Sequence, residues 1–155
     1  MTRTSDARLG RHLSLGTLAF ALCFAAWGLV SAFAVRFRAR LQLSGTETAL
    51  LVAVPVLLGG VARLPMGMLT DRLGGRLVMT VLMAALAVPV YLVPEGTTYR
   101  TLLVAAFFLG LAGSSFSVGV GYVSRWSPPD KQGGVLGVYG LGTIGQSAAV
   151  FLGPL

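Results

Sequence analysis

A chain of 155 residues that is 55% hydrophobic and 11% charged, with a mean hydropathy of +0.80, is not an ordinary soluble domain; such a domain carries roughly a quarter charged residues. The net charge of +7 does not make a nucleic-acid surface. Lys and Arg fall in short stretches between apolar runs, so no basic face remains to track a phosphate backbone, and the lipid bilayer is the partner instead.

Residues 1–14 read as a cytoplasmic N-terminal tail carrying Arg3, Arg8 and Arg11. Five apolar runs follow, at 15–35, 49–69, 77–93, 101–123 and 134–155. Each approaches the roughly 20 helical residues that cross a bilayer core. The third is short, and the fifth reaches the last residue. Membrane strands are short alternating segments, whereas these runs are apolar all round, so a barrel is excluded. The first run has a basic start and an Ala32-Phe33-Ala34 stretch resembling a cleavage site. It exceeds the usual signal core of about 7–15 residues, and reads as a retained helix. Cys23, the single cysteine, forms no internal disulfide and reads as an inert buried thiol. The expected fold is an all-α membrane protein, with five transmembrane helices forming part of a six-helix bundle.

Loop charge sets the orientation. With the N-terminus inside, Arg3, Arg8, Arg11, Arg72, Arg76, Arg125 and Lys131 lie inside; Arg36, Arg38, Arg40 and Arg100 lie outside. The balance favours N-in, although Arg36, Arg38 and Arg40 oppose it.

The remaining basic residue, Arg63, lies within the second run, about four residues or ~6 Å past its midpoint. A guanidinium at that depth costs about 2.5–3.5 kcal/mol on insertion scales, which calls for a partner. The five acidic residues, Asp6, Glu47, Asp71, Glu95 and Asp130, all read as tail or loop. Two readings stay open: Arg63 snorkels to the headgroups, or its planar fork holds a small oxyanion through paired hydrogen bonds. Gly59, Gly60, Gly67 and Pro65 surround it and permit close helix approach and a bend.

Between the second and third runs stands Gly67-Met-Leu-Thr-Asp71-Arg72-Leu-Gly74-Gly75-Arg76. This resembles the signature loop of the major facilitator superfamily. The resemblance implies that Asp71, at a helix N-terminus, pairs with Arg and latches one conformation, with Gly67, Arg72, Gly74 and Arg76 completing the motif. A carboxylate at a helix start is favoured by the helix dipole. The family often has a basic residue where Gly75 stands.

Further similarity runs from about Leu15 to Leu155. Its parts are Trp27, the stretch 53–67, Ala112-Gly113-Ser114-Ser115-Phe116-Ser117, the Pro128-Pro-Asp-Lys-Gln-Gly133 turn, and glycines 133, 137, 140, 142 and 145. Together they resemble the nitrate/nitrite porter branch. The resemblance implies that Arg63 binds substrate and Phe116 packs on a planar anion. Thr143 stands where the family usually has Asn, so it brings one donor in place of two. Val30 stands where some members have a second aromatic. Beside these readings, Phe116 also fits as core filler, and Ser114, Ser115 and Ser117 as hydroxyls bonding back to their own helix. Gly133, Gly137, Gly140, Gly142 and Gly145 read as a helix-packing face.

Gly140-Leu-Gly142-Thr-Ile-Gly145 mimics a dinucleotide fingerprint, but no acidic residue follows at the required distance. No cofactor is implied. One Cys, one His and five scattered carboxylates assemble no catalytic constellation, so an enzyme is not expected. No Asp, Glu or His falls within a run, so these spans carry no usual proton carrier. The expectation is transport of a small anion, nitrate or nitrite, by a protein whose C-terminal half lies beyond this chain. Two rivals remain open: transport of another solute by the same superfamily, and a small membrane subunit that transports nothing.

Overall fold

The computed structural model describes residues 2–153, with side chains from residue 8 onward. The side chains of Arg3 and Asp6, and the end of the fifth run at residues 154–155, lie outside the described residues. Every described apolar run is helical, and no described residue is in a strand.

Helix α1 spans Thr2–Leu41, α2 Gly45–Leu73 and α3 Gly75–Glu95. The fourth span, Tyr99–Ser124, consists of α4 (Tyr99–Leu109), a 3-10 turn at Gly110–Ser114, and α5 (Ser115–Ser124). The fifth, Pro129–Leu152, consists of a 3-10 turn at Pro129–Lys131, α6 (Gln132–Gly140), a second such turn at Leu141–Thr143, and α7 (Ile144–Leu152). All five are long and apolar enough to cross a bilayer.

Helix ends fall beyond the apolar runs, and at the starts of α2 and α4 capping sets them. Ser44 and Glu47 form a capping box: Ser44 Oγ accepts from the Glu47 N–H at 3.2 Å, and Glu47 Oε2 accepts from the Ser44 N–H at 2.9 Å. Thr98 caps α4 in the same way with Thr101. These interactions draw Glu47 into the first turn of α2, although its charge suggests a loop. The 40 residues of α1 span about 60 Å, twice a bilayer core. The stretch read as a tail therefore continues the helix. The third span, expected to be short, has 21 residues.

Turns are tight. Gln42 (φ 53°) ends α1, and Gly74 (φ 87°) alone separates α2 from α3. Cross-element hydrogen bonds sort the helix ends into two groups. Arg40 Nη1 donates to the Pro94 carbonyl at 3.2 Å, and Tyr99 Oη to that of Glu47 at 3.4 Å. At the opposite end, Arg125 Nη2 donates to the Asp71 carbonyl at 3.0 Å, and His12 Nδ1 and Tyr122 Oη lie 2.6 Å apart. The spans thus alternate in direction.

Span four is central: over half of its apolar window is buried, against a third or less in the others. Leu102, Ala106, Leu109, Ala112 and Val118 anchor the main core. Cys23, Val30 and Phe37 from α1 join it, so the segment with the signal-like features is an integral part of the packing. A second cluster joins Phe20 and Phe24 to Val123, Val135 and Tyr139.

Small residues bring the helices together. A Cβ on Gly110 would lie 2.7 Å from the Pro55 carbonyl oxygen, and one on Gly59 2.9 Å from that of Gly110. The contact between α2 and span four is therefore backbone on backbone, the packing available where lipid removes the hydrophobic driving force.

The glycines of the fifth span fall into two groups within this chain. Gly142 and Gly145 do pack, against Phe20 and the backbone of Ala21. Gly133, Gly137 and Gly140 would have open space around an added Cβ, so within this chain they form no packing face. Gly142 lies within the 3-10 turn at Leu141–Thr143, and Gly145 in α7. The dinucleotide-like stretch begins on the last residue of helix α6 and is not preceded by a strand, which removes its structural context.

Candidate anion site and conformational loop

Arg63 lies on α2, whose close approach to span four brings the Arg63 side chain against the 3-10 turn. Its Nε donates to the Gly113 carbonyl at 3.4 Å, near the midpoint of span four. One turn later, Ser117 Oγ lies 3.1 Å from the Arg63 carbonyl and 2.9 Å from that of Ser114, so its single O–H is shared between the two acceptors. Span four thus holds Arg63 at both its head group and its backbone. The guanidinium thus meets span four near the middle of that span. Among the described residues its hydrogen bond goes to a carbonyl, not to a carboxylate. Engaging Nε leaves the Nη1/Nη2 edge of the fork, which offers two parallel donors to a planar anion.

Phe116 lies between Gly113 and Ser117 on the same helix. Its ring centroid is 5.6 Å from that of Phe20 and 6.1 Å from that of Tyr139. Those two rings are fully buried, while Phe116 keeps 38% of its surface exposed. It is therefore wall on one face and open on the other. Thr143 is exposed, and its hydroxyl donates to the Gly140 carbonyl of its own helix at 2.9 Å. It approaches the aromatic group only through its neighbour Gly142, packed on Phe20. The structure thus ties Arg63 to the Phe116 turn, while Thr143 is linked to neither by a hydrogen bond.

Ser114 and Ser115 donate to the carbonyls of Leu111 and Ala112, both at 2.6 Å, which is the back-bonding role. Three contributors escaped the sequence reading. The Gly113 carbonyl carries no side-chain signal. The bridge from Ser117 to α2 needs a helix neighbour that no spacing reveals. Tyr139, inside a glycine-rich stretch, turns inward over Gly119 and donates to the Ser115 carbonyl at 3.0 Å, which pins span five to span four. Trp27 lies beside Gly113 and Phe24 and adds a further aromatic wall.

The signature loop is differently built from the expectation. Asp71 lies in the last turn of α2, which ends at Leu73, and not at a helix start. There the dipole disfavours a carboxylate, so dipole stabilisation by its own helix is not what holds Asp71. The connection from span four reaches its carbonyl: Arg125 satisfies one of the carbonyls left without an intrahelical partner at the end of α2. Gly67 lies within α2, Arg72 is exposed in its last turn, and Arg76 is exposed in the first turn of α3. Gly74 makes the reversal at φ 87°. A Cβ on Gly75 would lie 2.9 Å from Tyr122 Cα. The basic residue that the family often carries at this position has no room here.

Comparison with known proteins follows the same lines. A family model described as Major Facilitator Superfamily matches residues 15–155. A Thermus thermophilus protein named "Probable nitrate/nitrite antiporter NarK1" is 45% identical over 144 residues, covering 93% of this chain and 32% of its own. The "Nitrite extrusion protein" of Bacillus subtilis (strain 168) is 36% identical, covering 93% of this chain and 36% of its own. The "Probable nitrate transporter NarT" of Staphylococcus carnosus (strain TM300) is 32% identical, covering 94% and 37%. The chain spans about a third of the length of these curated relatives. With a family match that omits only the residues before Leu15, the chain belongs to the Major Facilitator Superfamily.

Proposed function

We propose that this chain is the N-terminal part of a secondary transporter for nitrate or nitrite, working by alternating access in the cytoplasmic membrane with its N-terminus inside. The observation that carries the reading is Arg63: a permanent cation at mid-depth, held by the Gly113 carbonyl and hydrogen-bonded to no carboxylate among the described residues. Nitrate is planar and singly charged. Two of its oxygens match the free edge of the guanidinium, and its face fits the open side of Phe116. The names of the relatives above support the same substrate class. Sites near the bilayer midplane, between two halves that rock against each other, suit this depth. The C-terminal half supplies the opposing wall and a second cation to balance the anion. Thr143 adds a donor only after its hydroxyl turns away from Gly140. Asp71, Arg72, Arg76 and Arg125 form the contact that opens and closes on the inner side.

The test is nitrate/nitrite exchange in proteoliposomes by the complete transporter containing this chain. Arg63→Lys keeps the charge and removes the fork, and transport efficiency is expected to fall about 10- to 100-fold, the size of one lost charge-assisted bond. Unchanged uptake by that variant removes the anion assignment and leaves the superfamily membership standing.

A further inference from the structure

A groove of ≈ 770 Å³ runs between α3 and span four, and neither Arg63 nor Phe116 lines it. Its walls are apolar, with Val88 and Leu92 from α3 and Val104 and Phe108 from α4, all four exposed. Its two charged residues lie at one end: Glu95 is the last residue of α3, and Arg100 is the second of α4. Both are exposed, and among the described residues neither side chain makes a hydrogen bond or an ion pair, with the other or with any other group. Arg40 comes close, but it donates to the Pro94 carbonyl and not to the Glu95 carboxylate. The groove therefore carries one charge of each sign at the level of the helix ends and none below. Its length follows from the helices. The lining runs from Glu95 back to Ala85 on one side and from Arg100 on to Leu111 on the other, about 15 Å of helix each. That is half of a bilayer core of about 30 Å, the depth of one leaflet.

We propose that this groove is a binding site for a phospholipid with a primary-amine headgroup, phosphatidylethanolamine. Its phosphate meets Arg100, its ammonium meets Glu95, and one acyl chain lies along Val88, Leu92, Val104 and Phe108. Charge and depth each select this occupant. The mouth offers a guanidinium for a phosphate and a carboxylate for an ammonium, so both bonds are charge-assisted. Phosphatidylglycerol brings the phosphate alone and leaves Glu95 beside a like charge. Phosphatidylcholine brings both charges, but its quaternary ammonium has no N–H to donate. A free phosphate would leave the apolar walls uncovered. A further membrane helix would need a contact along the whole core, whereas this groove extends through one leaflet only. The assignment stands apart from the anion site: it uses none of its residues and needs only that the spans lie in a bilayer.

Native mass spectrometry of the purified chain tests this, in detergent supplied with equal amounts of phosphatidylethanolamine, phosphatidylglycerol and phosphatidylcholine of identical acyl chains. The expected result is retention of phosphatidylethanolamine over the other two. Glu95→Gln removes its preference over phosphatidylglycerol, a change of about two- to fivefold for one exposed charge contact. Arg100→Gln lowers retention of phosphatidylethanolamine and phosphatidylglycerol alike, about fivefold. Arg38→Gln, at the same membrane side but outside the groove, changes neither. Helicity by circular dichroism confirms that each variant is folded, and the comparison of the three lipids in the unaltered chain needs no variant. Equal retention of the three lipids overturns the proposal, as does a preference for phosphatidylglycerol. An unchanged preference in Glu95→Gln, or an equal loss in Arg38→Gln, does the same. A dimer that Val104→Trp dissolves would assign the groove to a second copy of the chain and overturn the lipid assignment.

Discussion

Under the proposed function, one side chain of the second span supplies the charge that meets the anion and its neighbours set the aim. Arg63 has its Nε on Gly113 and its carbonyl on Ser117, so the free edge of the guanidinium points where span four allows. Ser117→Ala removes the cross-helix bond and keeps the charge. Intramembrane hydrogen bonds average about 0.6 kcal/mol, so anion affinity in the complete transporter is expected to fall only about threefold. A nitrate concentration series on proteoliposomes reads this as a raised KM with kcat little changed. A loss as large as that of Arg63→Lys would mean that Ser117 touches the anion itself. Phe116 belongs to the same scale. Phe116→Leu keeps the apolar wall and loses the flat face, so discrimination between planar nitrate and a tetrahedral anion is expected to weaken, as competition assays would show.

The elements are placed by residues that have almost no side chain. Gly59 and Gly110 let α2 approach span four backbone to backbone, and that approach puts Arg63 within reach of Gly113. Gly110→Ala forces a methyl group against the Pro55 carbonyl and is expected to destabilise the bundle by about 1–3 kcal/mol. Gly137→Ala points into open space in this chain and is expected to stay within about 0.5 kcal/mol of the parent. Reversible unfolding in mixed micelles measures both, and equal effects would contradict the packing described here. The loop between α2 and α3 obeys the same constraint. Gly75 lies against Tyr122, so Gly75→Arg, which restores the basic residue common in the family, is expected to push α3 away from span four and lower stability.

For the whole molecule, the length relative to its relatives decides what can be asked of it. A site near mid-depth needs an opposing wall, and Arg63, the open face of Phe116 and the unpacked glycines at 133, 137 and 140 are all accessible here. Under the proposed function, this chain in proteoliposomes is expected to move no nitrate above the empty-vesicle rate. Co-expression with the C-terminal two-thirds of a NarK-type relative is expected to restore exchange. Nitrate flux from the chain by itself would place the site within this bundle alone.

The sequence by itself determined the class and the number of spans, because hydrocarbon admits only helices with internally satisfied backbones. The five apolar runs therefore had one structural outcome. It also singled out Arg63, since a charge in an apolar run is costly wherever the helix packs. Two features were settled by the tertiary structure alone. The first was which glycines meet a neighbour within this chain: 142 and 145 do and 133, 137 and 140 do not, a split that spacing does not encode. The second was what holds each polar group. The partner of Arg63 is a carbonyl on another helix, the partner of Arg125 is the backbone and not the carboxylate of Asp71, and the hydroxyl of Thr143 turns to its own helix. Backbone acceptors occur at every residue and leave no mark in a sequence, so only the crossing of the helices could select among them.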